Sequence, residues 1–70
     1  MNRIFVESSN LRSVGYDSTT QTLEIEFNNS GIYQYSNVPQ SVYNELMSAS
    51  SHGSYFSANI RNSYQYTKIC

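Results

Sequence analysis

His52 is the one side chain here whose ordinary pKa puts a proton in play near neutrality, and it lies in the turn-forming run Ser50-Ser51-His52-Gly53 with no cysteine close by in sequence. A histidine in that setting reads as a solvated or turn-capping group rather than as the base of a nucleophile. Glu24 and Glu26 have the spacing of an acid–base pair. They alternate with Leu23, Ile25 and Phe27, however, and so read as the solvent side of an amphipathic strand. Cys70 is the single cysteine, so no intrachain disulfide can form, and with one histidine it cannot complete a zinc site. No glycine-rich loop of nucleotide-hydrolase spacing is present. These residues point away from an enzyme, a metal and a cofactor.

What remains suits binding. Seven tyrosines stand among many serines and asparagines, a mixture that gives contact area and hydrogen bonds at low entropic cost. Tyr16, Tyr33, Tyr35, Tyr64 and Tyr66 offer faces on which a nucleobase can stack, each worth about 1–3 kcal/mol when a base sits there. The run from Ser51 to Gly53 opens a short helix whose free N–H groups can take a phosphate, with Tyr55 and Arg61 nearby. Ser8, Ser9 and Asn10 can read polar edges. Arg12, Arg61 and Lys68 are the available counter-charges, and for Arg12 and Lys68 a plain surface role competes with this one.

Charge decides which ligand size fits. Four Lys and Arg against five Asp and Glu give a net charge of −1, with only 13% of residues charged, so nothing here attracts long polyphosphate broadly. A compact ligand needs a few rings and one or two cations, whereas a long nucleic acid needs many cations along a groove. The leading expectation is therefore a non-catalytic binder of a small nucleotide. Two alternatives stand beside it: a single-stranded RNA module displaying Tyr33 and Tyr35, and a protein-interaction module using an edge strand or the Tyr64-Gln65-Tyr66 tail.

These side chains must be positioned by a single domain, because 70 residues leave no room for a second core. The sequence predicts an α+β fold, a three-stranded antiparallel meander packed against one main helix plus a second short one. Leu11–Asp17 alternates as a first strand, with Arg12, Val14 and Tyr16 on one side and Leu11, Ser13 and Gly15 on the other. Thr22–Phe27 is the clearest strand. Asn28-Asn29-Ser30-Gly31 tolerates positive φ and joins it to Ile32–Ser36. Pro39 starts a helix over Gln40–Ala49 with an apolar stripe of Val42, Leu46 and Ala49. Ser50–Gly53 stops that helix, and Tyr55–Arg61 makes a short turn with Phe56 and Ile60 inward. Tyr64–Ile69 reads as a closing strand or an extended arm. So small a domain, without staples, is expected to share its core or its pockets among copies in a homo-oligomer. The apolar patch near Met1 is too short for a signal peptide or membrane span, and the protein is expected to be cytosolic.

The ordered series Ser8-Ser9-Asn10-Leu11, Val14-Gly15-Tyr16-Asp17, Leu23–Phe27, Gly31-Ile32-Tyr33-Gln34-Tyr35, Val38-Pro39, Tyr43 and Gly53-Ser54-Tyr55-Phe56 to Ile60-Arg61 resembles the KTSC domain. That family is named for a C-terminal domain of some lysyl-tRNA synthetases, also occurs as free-standing short proteins, and has a central Tyr-x-Tyr as its hallmark. The likeness spans residues 8 to 69. It implies the fold more firmly than an activity, with RNA binding the function suggested for the family. Ser57 stands where the family often has asparagine, and Asn62-Ser63 where it has a more basic pair, which argues against long RNA. In size and ligand chemistry the chain is also similar to phage-encoded anti-CBASS sponges, which sequester cyclic nucleotide immune signals.

Overall fold

The computed structural model describes the whole chain, Met1 to Cys70. Its centre is β3 (Thr22–Phe27), flanked by β2 (Leu11–Asp17) and β4 (Gly31–Tyr35). The period-two alternation of β3 sends Leu23 and Ile25 into the core, both with no exposed surface. Its hairpin to β4 closes through Gly31 at φ 95°, a backbone conformation that a Cβ would strain. Two further strands extend the predicted three, β1 (Arg3–Phe5) against β2 and β5 (Tyr66–Lys68) against β4. The result is a five-stranded antiparallel sheet in the order β1-β2-β3-β4-β5.

The predicted facing of β2 needs a correction. The register shifts between Leu11 and Ser13, so that Leu11 pairs with Phe27 and Val14 with Ile25. This β-bulge gives Arg12 to solvent and puts Leu11 on the core face with Val14 and Tyr16, not with Ser13 and Gly15.

Between β4 and β5 the chain makes α1 (Gln40–Ser48) and α2 (His52–Asn59). Both lie on one face of the sheet. Val38, Leu46, Phe56 and Ile60 join Leu11, Val14, Leu23, Ile25 and Tyr35 in a single buried cluster, with Val42, Tyr43 and Met47 packed against it. α2 begins earlier than the sequence suggested, and Gly53 lies inside it. Ser51 Oγ accepts from the Ser54 N–H and so caps the first turn. His52 Nδ1 lies 2.8 Å from the Leu46 carbonyl, so its ring ties the start of α2 to the end of α1.

The opposite face is polar but not simply wet, another departure from expectation. Glu24 is only 5% exposed, because β1 lays Arg3 across it. Arg3 Nη1 donates to Glu24 Oε2, and Gln34 Nε2 donates to Glu24 Oε1 at 2.8 Å. Arg3 Nε also donates to Ser13 Oγ at 2.9 Å, and the Ser13 hydroxyl donates in turn to Glu26 Oε1 at 2.9 Å. Burial pushes the Glu24 carboxyl up, but the hydrogen bonds from Gln34 and Arg3 together with the Arg3 charge outweigh it and leave the carboxyl below its usual range. A carboxyl lowered on folding stabilises the native state above its unfolded pKa of about 4.3, and that contribution fades as pH falls through the lower folded value. Arg3→Ala is therefore expected to cost about 1–3 kcal/mol near pH 7. Urea unfolding should show that deficit shrinking once the pH is low enough to protonate Glu24.

Candidate functional site

A cleft of about 500 Å3 opens where the end of α2 passes over the sheet. Its wall is aromatic, formed by Phe27, Tyr33, Tyr35, Phe56 and Tyr66. Phe56 meets Phe27 at 5.3 Å and Tyr35 at 5.5 Å, both edge-on, and Phe27 meets Tyr33 edge-on at 5.4 Å. Tyr66, 58% exposed, leans across Tyr33 at 5.7 Å and Tyr35 at 5.6 Å. The rim is polar: Ser9 and Asn10 from the loop before β2, Asn28, Asn29 and Ser30 from the β3–β4 turn, and Ser57, Arg61 and Asn62 from the end of α2.

The hallmark pair is both core and wall. Tyr33 and Tyr35 point to the helix side; Tyr35 is 4% exposed and Tyr33 half-buried. Burial, with Tyr66 and Tyr33 beside it, pushes the Tyr35 hydroxyl up to about 12, so it remains a neutral donor.

Electrostatically the cleft is one-sided, since no Asp or Glu lines it. Of the four basic residues, Arg3 and Arg12 face the carboxylates of Glu24 and Glu26. Arg61, on the rim, makes no ion pair, and Lys68 Nζ lies 5.9 Å from the Tyr33 ring centroid.

The predicted site residues divide. Ser9, Asn10, Tyr33, Tyr35 and Arg61 meet in the cleft. Ser51 and Gly53 line a shallower adjoining hollow of about 390 Å3 that shares Ser9, Asn10 and Ser57 with it. Ser8 supports the arrangement from behind, its Oγ accepting from the Asn10 and Leu11 N–H groups at 3.3 Å. A Cβ on Gly53 would sit 3.3 Å from that Oγ, so the glycine lets α2 approach the loop closely.

Tyr16 and Tyr55 lie elsewhere. Tyr16 stacks on Tyr43 at 4.9 Å and 12° and donates its hydroxyl to the Val38 carbonyl. Tyr55 donates to Glu45 Oε1 at 2.7 Å, which with burial pushes its hydroxyl up to about 12. Both fasten α1, one to the sheet and one to α2. Of the further stacking rings that the sequence offers, Tyr66 lines the cleft and Tyr64 does not. Phe27, Asn28, Asn29, Phe56 and Asn62 belong to the cleft without a sequence signal for it; the Asn28-Asn29-Ser30 run is legible only as a turn.

An α+β module of two layers, with its helices on one sheet face and an aromatic cleft at one corner, defines the class. Residues 7–64 match the KTSC domain model, and the chain belongs to that family. It is similar to an uncharacterized protein of Stutzerimonas stutzeri, 40% identical over 70 residues that make up 99% of each chain. It is also 40% identical over 63 residues to a lysine–tRNA ligase of Trichormus variabilis, covering 90% of this chain and 11% of the ligase. Among solved structures, the crystal structure of a KTSC domain protein from Yersinia pestis superposes with a TM-score of 0.97 at 39% identity, covering 99% of this chain and 97% of that one.

Placing Tyr16 outside the cleft makes a separable test. Tyr16→Phe is expected to lower stability by about 0.5–1.5 kcal/mol through the lost bond to Val38. Chemical denaturation measures that loss, and any ligand of the cleft should bind the variant unchanged.

Proposed function

We propose that this KTSC domain binds a small nucleotide in the aromatic cleft and holds it without turning it over. One observation carries the reading: Arg61, a cation with no carboxylate partner, lines a hollow walled by stacking rings and free of acids, and Lys68, likewise without a carboxylate partner, lies against one of those rings, Tyr33. Tyr33 and Tyr66 supply faces for a base, and Arg61 supplies a charge-assisted donor for phosphate. One chain forms the cleft by itself, and its volume falls within the range of small-molecule sites. Sequestration of a cyclic nucleotide signal, as a sponge would do, is the form this function takes. Exposed Ile4 and Phe5 on the β1 edge support association of copies, which mass measurement in solution tests.

Single-stranded RNA is the second reading, favoured by the likeness to a region of lysine–tRNA ligases. The two differ in charge accounting. With two free cations the salt dependence of a small ligand should have a log–log slope no steeper than about −1.4.

Thermal-shift and calorimetric titrations with mono-, di- and cyclic dinucleotides, and with RNA strands of increasing length, test both. A small nucleotide should raise the melting temperature. Tyr33→Ala should cost about 1–3 kcal/mol of binding, and Arg61→Gln should weaken it by about tenfold or more. Affinity that climbs with strand length beyond a dinucleotide selects the RNA reading, and silence across the whole panel overturns both.

A further inference from the structure

Asn28 differs from the other amides of the cleft. Its Nδ2 is engaged by two main-chain carbonyls, Ser9 O at 2.9 Å and Ser8 O at 3.4 Å. A carboxamide nitrogen has two hydrogens, and two carbonyls stand within reach of them. Rotating the amide by 180° would set Oδ1 against two carbonyl oxygens, so its orientation is fixed by its neighbours. The hydrogen-bonding atom that Asn28 has left is Oδ1, which can only accept. Asn10, Asn29 and Asn62, also on the rim, have side-chain amides with no partner in the protein, so they can turn to offer either a donor or an acceptor.

We infer that Asn28 makes the cleft selective for nucleobases that carry an exocyclic amino group over those that carry a carbonyl in its place. Resting on the nucleotide reading above, this names the ligand more closely: an adenine-type base presents a 6-amino donor to Oδ1, whereas hypoxanthine presents a 6-oxo acceptor. A fixed acceptor facing an acceptor leaves both unpaired and mutually repelled, and sites built for one hydrogen-bonding group discriminate in this way. Asn28 lines the same cleft as Phe27, one of the wall rings. The residue is also positioned independently of its side chain, because its backbone N–H donates to the Asn10 carbonyl at 2.9 Å.

Calorimetric titration of the full chain with AMP against IMP, and with cyclic di-AMP against cyclic di-IMP, tests this directly. In the wild-type chain the amino-bearing member of a pair should bind at least about tenfold tighter. In Asn28→Ala the two members should bind within about twofold of each other, with the main-chain bond to Asn10 holding the turn. Equal affinities in the wild-type chain overturn the inference without any variant, and so does a preference that survives in Asn28→Ala. If no member of either pair binds, the nucleotide reading itself has failed, an outcome distinct from binding without selectivity.

Discussion

Phe56 is wedged edge-on between Phe27 and Tyr35, and the rest of the site depends on that contact. α2 is only eight residues long, too short to hold itself together without tertiary support. Phe56 and the fully buried Ile60 are its anchors to the sheet. Ser51 secures the other end by capping, and His52 ties it to α1. Because the anchors point down and inward, the last turn overhangs the sheet. That overhang brings Arg61 and Asn62 to face the Asn28–Ser30 turn, leaving a hollow whose floor is the set of rings that packs the helix.

The two faces of the sheet treat charge in opposite ways. On the face away from the helices, Glu24 and Glu26 are neutralised within the protein by Arg3 and Arg12 and by hydrogen bonds from Gln34 and Ser13. A buried carboxylate left unpaired there would be costly, so β1 and its arginine are integral to the sheet rather than decoration at its edge. On the helix face no carboxylate enters the cleft, and the cations near it, Arg61 and Lys68, have no carboxylate partner. With a net charge of only −1, this segregation creates a local field that the composition as a whole conceals.

Much of the architecture was legible because it rests on local rules. The alternation of Leu23, Ile25 and Phe27, the turn residues before Gly31, and Pro39 ahead of the Leu46 stripe each specify one element, and the structure contains all three. The misreadings share a cause in non-local pairing. β1 and β5 are three-residue edge strands, too short to carry a period, and they exist because β2 and β4 offer them partners. The bulge at Arg12 is invisible to a period of two, and strict alternation therefore puts Leu11 on the wrong face. Glu24 looked solvated because nothing near it in sequence announces Arg3, twenty-one residues away, as its cover. Among the site residues, tyrosine count alone could not separate Tyr33 and Tyr35 from Tyr16 and Tyr55. A ring that lines a cleft and a ring that fastens a helix have the same composition, and only the positions of Tyr43 and Glu45 distinguish them.

A domain of this size has little interior to spend on a cavity, and the location of the cleft shows how it avoids doing so. The hollow is not cut from the core, which stays closed around Leu23, Ile25, Leu46 and Ile60. It is built at a corner where the Ser8–Asn10 loop, the Asn28–Ser30 turn and the end of α2 converge over the edge of the sheet. Loops are usually the least fixed parts of a fold, but two of these are bound to each other, the Asn28 main chain to Asn10 and the Asn28 side chain to Ser8 and Ser9. The same bonds that rigidify the rim determine which polar atoms it still has to offer. The order of the rim and the chemistry of its free atoms therefore have one structural origin, and the cost of ordering these loops is met in folding.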